Sequence, residues 1–544
     1  MIKEDDTYVI HGPPPLHPLL DISLGRLMYD SLLANPNKHE ALVDAITRES
    51  ISFPKLLELT CSLAESLRRS GYGINTVVSV SSENNIQFFI PVIASLFIGA
   101  TVAPVNHNYT DYETIHSLTI CKPKIVFCSK AVTDKFVNLK NTKLDFIEKI
   151  IVIDSDEVVC GAETMEEFVR TTLRGYVPLG RFQLAEFDNS KQIALIMCSS
   201  GTTGLPKGVM QTHSNMMVRY MHSIDPRYLR QEDNFLGILP FFHAYGLITN
   251  FFALVMGQKI VVLKRFQEEL FLKIIQDFRL SNLWLAPPLV ILLAKSPLVA
   301  KYDLSSVKEI LSGAAPLSKD TEEAVKRRLN IRTIRQGYGL TESTLAVIMM
   351  SLNDEKPGSS GKVVSYMSCK VRDPETGKSL GPGKVGELCF KGPMVTPGYY
   401  RNQEATRNSF TSDGWLLTGD LGYYDKEGYF YIVDRLKELI KYKGFQVPPA
   451  ELESIILNHP KVLDVGVVGL PNEEAGELPL AYVVKKENVN LTEKEIIDFV
   501  AGKVSSQKTL RGGVVFVPSI PKNPSGKILR RELRKMLTTY KSKL

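Results

Sequence analysis

The sequence predicts an α/β protein: a large N-terminal domain of stacked α/β sheets with a β-rich subdomain, followed by a small α+β C-terminal domain. Short apolar runs rich in β-branched residues (VVSVS, KIVFCS, KIIVIDS, QIALIMC, KIVVLK) alternate with amphipathic segments such as LLELTCSLAESLRRSGYG, the rhythm of largely parallel sheets. From Gly381 the texture changes to short strands and turns, GELCFKG and GYYDKEGYFYIVD, which read as a twisted β region closing the first domain. After Asp434-Arg435, about a hundred residues carry their own signals: LDVGVVGLP, LAYVVKK, LTEKEIIDFVAGKV and RGGVVFV. The expected division is residues 1–434 and 435–544, with the charged pair Asp434-Arg435 as hinge candidate and an ordinary loop as the alternative.

The chain has 544 residues, enough for a large core, and its 44% apolar and 23% charged content excludes a disordered or disulfide-scaffold protein. Lysine plus arginine exceeds aspartate plus glutamate by 65 − 59 = 6, too little to suggest nucleic acid or a polybasic membrane role. Seven scattered cysteines without a C-x-x-C pair read as reduced thiols of an intracellular protein, and MIKEDDTYVI shows no secretory h-region. Two uncharged stretches test for a membrane span. Residues 86–105 are broken by Pro91, Gly99 and Pro104, and residues 234–258 by Pro240, His243, Asn250 and glycines, so both read as core segments.

The strongest local signal is Ser199-Ser200-Gly201-Thr202-Thr203-Gly204-Leu205-Pro206-Lys207-Gly208, directly after the apolar run QIALIM. Glycines let backbone N–H groups approach phosphate oxygens, hydroxyls add donors, and Lys207 supplies charge. It is not a Walker A loop, because Pro206 precedes the lysine and Gly208 follows it. In QGYGLTES, glycines flank Tyr338, an aromatic able to stack on a purine, while Thr341 and Glu342 offer oxygens for phosphate-bound Mg²⁺. A tight turn with a solvated glutamate is the alternative. Asp420, after Thr418-Gly419, suits two ribose hydroxyls, or equally a turn. Lys527, in Pro524-Ser525-Gly526-Lys527 ahead of an amphipathic helix, can carry a point charge into a cleft, although a lone lysine is usually solvated. His243 among aromatics reads by itself as a core residue.

Together these segments resemble the adenylate-forming superfamily of acyl-CoA synthetases, 4-coumarate-CoA ligases, peptide-synthetase adenylation domains and beetle luciferases. SSGTTGLPKG is similar to its phosphate-loop signature, and the likeness continues through GAAPL (313–317), QGYGLTES (336–343), GWLLTGD (414–420), DRLKELIKYKG (434–444) and NPSGKILRREL (523–533). The resemblance implies a large AMP-binding domain and a small mobile one. It implies ATP or AMP contacts by the phosphate loop, by Gly313, Ala314 and Ala315, and by Gly337, Tyr338, Gly339, Leu340 and Thr341. Asp420 would hold the ribose with Arg435, Glu342 the metal, and Lys527 would serve adenylation. Lys441, Lys443 and Gly444 would enter the site after rotation, with His243, Lys443 and Gly444 bordering a coenzyme A tunnel. Arg219, His243, Tyr245, Thr249 and Leu345 would line the acid pocket.

The chain most resembles insect luciferases and their non-luminous relatives. Leu345 replaces a serine that luciferases carry in GLTE-x-x-S, removing a hydroxyl and favouring an alkyl chain. The expectation is a fatty-acyl-CoA synthetase using ATP, Mg²⁺ and coenzyme A, with luciferin 4-monooxygenase as the alternative and a 4-coumarate-like ligase or a non-catalytic nucleotide-binding relative as others. Ser542-Lys543-Leu544 matches the S-K-L peroxisomal address, implying an import receptor as partner and a peroxisomal location.

Overall fold

The computed structural model describes residues 7–173, 177–199, 206–229, 234–443, 445–523 and 526–541. A seven-stranded sheet runs in the order Lys207–Thr212, Ile193–Ser199, Thr101–Pro104, Val77–Ser81, Ile125–Cys128, Lys149–Val152, Glu163–Thr164. Its central strands are parallel, and their near-continuous apolar residues are buried, as both faces of such a sheet are covered by helices. Every apolar run singled out above is a strand here or in the neighbouring four-stranded sheet of Asn234–Gly237, Lys259–Val262, Leu42–Asp44 and Ser50–Ile51.

A third sheet, Asn282–Leu285, Glu309–Ser312, Thr333–Leu340, Leu345–Met349 and Lys362–Val363, begins parallel and ends antiparallel. The β-rich region starts earlier than Gly381. Ser368–Arg372 already belongs to its antiparallel sheet, together with Gly386–Lys391, the hairpin Leu416–Tyr424 and Phe430–Arg435, and the two-residue strand Ile10–His11.

Strand membership changes after Arg435. Ile440–Tyr442 pairs instead with Gly476–Lys485, in a separate sheet with Phe445–Val447, Val462–Asn472 and Gly513–Phe516, which has its own buried core around Val467, Ala481 and Ile496. Both questioned apolar stretches fold into the interior. Phe89–Phe97 is a fully buried helix ahead of the buried strand Thr101–Pro104, and Ala244–Val255 is a helix after Asn234–Gly237. Among the described residues no helix is long and apolar enough to cross a membrane.

Candidate active site

A cavity of about 220 Å³ opens among the seven-stranded sheet, the sheet that begins at Asn282–Leu285 and the antiparallel sheet of Leu416–Tyr424, and residues from both the large and the small region line it. The segments flanking residues 200–205 are both strands. Lys207–Thr212 runs antiparallel to Ile193–Ser199, so Lys207 opens a strand instead of sitting within the loop. Its ammonium lies 4.9 Å from the Tyr399 ring centroid. Ser199 lines the cavity with a buried hydroxyl that has no partner among the described residues; Ser200, Gly201, Thr202, Thr203 and Gly204 lie outside them.

Opposite, the tight pairing of Thr333–Leu340 with Leu345–Met349 presents Gly337, Gly339, Leu340, Thr341 and Glu342 to the cavity. A side chain at Gly339 has no room, since its Cβ would stand 1.9 Å from the Leu345 carbonyl oxygen. The Tyr399 hydroxyl donates to a Glu342 oxygen at 3.0 Å, and Gln211 donates to the Thr341 carbonyl at 3.0 Å. Gly313 and Ala314 line the cavity beside the Tyr245 ring, Ala314 with φ +77°, whereas Ala315 does not face it.

Asp420 and Arg435 are register partners across the Leu416–Tyr424 and Phe430–Arg435 hairpin, with the guanidinium Nε 3.0 Å from one carboxylate oxygen. The Tyr338 hydroxyl donates to the other at 2.8 Å, and its ring lies 6.0 Å from that of Phe390. Burial, reinforced by the Asp420 charge, raises the Tyr338 phenol well above its usual value. Arg435 lines the cavity, while Asp420 and Tyr338 stand behind it as its support.

Lys527 enters the cavity from the small region on the turn after Asn523, whose side-chain oxygen accepts its backbone N–H at 2.8 Å. Burial and then Arg435 lower its ammonium to about 8, with Asp420 opposing. His243 caps the N-terminus of the Ala244–Val255 helix, its Nδ1 accepting the Tyr245 N–H, which aims the ring into the cavity. Burial, then Lys527, lower it to about 4, so it is neutral near pH 7. Arg219, on the His213–Ser223 helix, is 2% exposed, and two of its guanidinium nitrogens are buried without a partner. Burial brings it to about 10. Tyr245, Thr249 and Leu345 complete the expected acid pocket.

Lys441 and Lys443 are not brought here. Lys441, on the strand Ile440–Tyr442, and Lys443, just after it, are exposed and line no part of the cavity; Gly444 lies outside the described residues. Sequence reasoning missed Tyr399, Gln211, Trp284 and Asn523. Tyr399 reaches Glu342 across 57 residues and Gln211 looks like a polar residue in a short strand, so neither carried a local signal.

Comparison with known proteins agrees with this architecture. The AMP-binding enzyme family matches residues 30–400, and the AMP-binding enzyme C-terminal domain matches residues 451–527. The chain belongs to the AMP-binding enzyme family, within the adenylate-forming superfamily and related to firefly luciferase. It is similar to luciferin 4-monooxygenase of Photuris pensylvanica, 45% identical over 99% of this chain and 100% of that one. It is also similar to probable 4-coumarate–CoA ligase 1 of Dictyostelium discoideum, 39% identical over 91% of each. Among solved structures, ATP-bound MatB from Rhodopseudomonas palustris superposes with a TM-score of 0.84 at 26% identity, covering 95% of this chain and 99% of that one. The apo form of MatB, at the same 26% identity and with the same two coverages, gives 0.73.

Proposed function

We propose that the cavity joins a carboxylic acid to the α-phosphate of ATP and that its residues divide the work as follows. One observation carries this reading: Lys527 from the small region converges with Lys207, Glu342 and Arg435 from the large one on a single cavity. The better fit to ATP-bound than to apo MatB supports an arrangement suited to nucleotide. Asp420, whose Oδ1 is ion-paired with Arg435 but accepts no hydrogen bond among the described residues, would accept from ribose hydroxyls beside Arg435. The substrate carboxylate oxygen attacks the α-phosphorus, the bond to pyrophosphate breaks, and the electron pair leaves with the pyrophosphate. The Lys527 ammonium offsets the charge that develops on the α-phosphate oxygens, and below about 8 it is protonated and able to do so. Neutral His243 borders the carboxylate without drawing it into an ion pair. Glu342, oriented by Tyr399, is a single carboxylate facing the cavity, and no cluster of three acidic, histidine or cysteine ligands occurs among the described residues. That donor set fits Mg²⁺ held mainly by phosphate oxygens, where the cation would neutralise phosphate charge. After adenylation, rotation near Asp434-Arg435 would exchange the Lys527 turn for the Lys441–Gly444 segment.

For the second stage, the full-length relatives named luciferin 4-monooxygenase favour an adenylate that loses its α-proton and is oxidised by O₂, over the fatty-acyl-CoA synthetase expected from the sequence. A second reading keeps the fatty acid. Leu345, Ala346 and Met349 give the cavity an apolar side, and the similarity to 4-coumarate–CoA ligases supports thioester formation with coenzyme A. AMP release with and without coenzyme A, across medium- and long-chain fatty acids, coumarate and D-luciferin with photons counted in parallel, separates them. Bright emission with slow thioester formation supports the first reading, and rapid acyl-CoA formation in the dark supports the second. The Ser542-Lys543-Leu544 end supports delivery to peroxisomes through their import receptor.

A further inference from the structure

Among the contacts that hold the small region against the large one, two lie on the helix Pro287–Lys295, which follows the cavity-wall strand Asn282–Leu285. At its first turn, Pro288 packs under the Lys527 turn. A Cβ on Gly526 would come within 2.9 Å of Pro288 Cγ and 3.6 Å of Ala286 Cβ, and Gly526 holds a φ of +83° that suits glycine. At its last residue, Lys295 reaches across and donates to two small-region carbonyls, Leu457 at 2.8 Å and Val462 at 3.1 Å. Leu457 ends the Pro449–Leu457 helix, so the Lys295 cation meets the negative end of that helix dipole. The helix rises about 10 Å between these two contacts, from Pro288 to Lys295.

Lys295 is free to do this because another cation serves its own helix. Arg328 donates to the Leu293, Ala294 and Ser296 carbonyls that the Pro287–Lys295 helix leaves open at its C-terminus. Beside it, Asn458 of the small region donates to the Asp320 carboxylate. The Pro449–Leu457 helix is in turn tied to the Lys527 segment, since Arg530 donates to both oxygens of Glu453 at 2.8 and 2.7 Å. A rigid path therefore runs from Lys295 through the Pro449–Leu457 helix and Arg530 to Lys527.

We propose that Lys295 is a positioning residue for adenylate formation: it clamps the C-terminal end of the Pro449–Leu457 helix and so holds Lys527 in the cavity. It touches no reactant. The inference rests on the assignment of Lys527 to adenylation made above. Removing the charge while keeping the stem weakens the orientation needed for the first half-reaction, and leaves alone a second step that requires the clamp to open.

The test compares Lys295→Met, Lys295→Arg and Lys527→Met in the full chain. ATP–pyrophosphate exchange is followed with tetradecanoate and with D-luciferin, and the conversion of supplied tetradecanoyl-adenylate by coenzyme A is followed separately. In parallel, Asp320→Cys and Asn458→Cys are introduced together and the rate of bridging by a short bismaleimide is read with and without Lys295→Met. The expected result for Lys295→Met is exchange slowed by about tenfold or more, the scale of a lost charged hydrogen bond, with conversion of supplied adenylate unchanged or faster and bridging slowed to match. Lys295→Arg, which still reaches the carbonyls, restores exchange. Unchanged exchange and unchanged bridging in Lys295→Met would overturn the proposal, as would equal slowing of both half-reactions without slower bridging. If Lys527→Met retains full exchange, the role of Lys527 fails, while the bridging rate still decides whether Lys295 clamps the two regions.

Discussion

Asp420 braces one side of the cavity: one oxygen accepts from the Tyr338 hydroxyl, and the other is ion-paired with Arg435 but accepts no hydrogen bond among the described residues. The sequence singled out all three residues but gave Tyr338 a different task, purine stacking, since an aromatic between glycines says nothing of where its hydroxyl ends. Glu342 and Lys527 were legible only in company: a lone turn glutamate or lysine is most often solvated, and it was the ordered set of motifs around them that singled them out. Tyr399 was not, since its role exists only through contact with Glu342. Leu345 makes the most specific residue-scale claim. It lines the cavity, and Leu345→Ser puts a hydroxyl on an apolar wall. The expected outcome is a rise of about tenfold in kcat/KM for adenylation of D-luciferin relative to tetradecanoate, the range that one pocket contact commands. An unchanged ratio of the two values would remove Leu345 from the specificity argument.

The hairpin of Thr333–Leu340 and Leu345–Met349 is the element on which the site depends most closely, because its turn carries Thr341 and Glu342 and its register aims them. The two glycines flanking Tyr338 are not equivalent. A Cβ at Gly337 would meet nothing nearer than 3.5 Å, whereas at Gly339 it would collide with the backbone of Leu345. Gly339→Ala is therefore expected to destabilise the protein by about 2 kcal/mol in urea denaturation and to abolish adenylation, with Gly337→Ala near neutral on both counts. Equal effects of the two substitutions would contradict the hairpin geometry. At this scale the parallel strands were legible from their apolar runs. The returning strand Lys207–Thr212 was hidden, because Gln211 is fully buried and breaks the alternation that a strand shows. Ile10–His11, two residues long, carried no pattern at all.

In the molecule as a whole, the α/β architecture and the change to an antiparallel region were readable from texture, although the β-rich sheet begins at Ser368 and borrows a strand from the N-terminus. The placement of the small region against the large one was not readable. It is set by pairs such as Lys295 with Leu457 and Gly526 with Pro288, residues 162 or more positions apart, whose partners no local pattern announces. That placement brings Lys527 into a cavity built by the large region and makes one site of two. Adenylate formation in that cavity is the central activity. The most direct measurement is mass-spectrometric detection of the acid–AMP anhydride and of released pyrophosphate without coenzyme A, for the wild-type chain and Lys527→Met, over fatty acids, coumarate and D-luciferin. The expected result is acid-dependent anhydride from the wild type, formed about 100-fold more slowly by Lys527→Met. Absence of acid-dependent pyrophosphate from the wild type with every acid, or an unimpaired Lys527→Met, would contradict it.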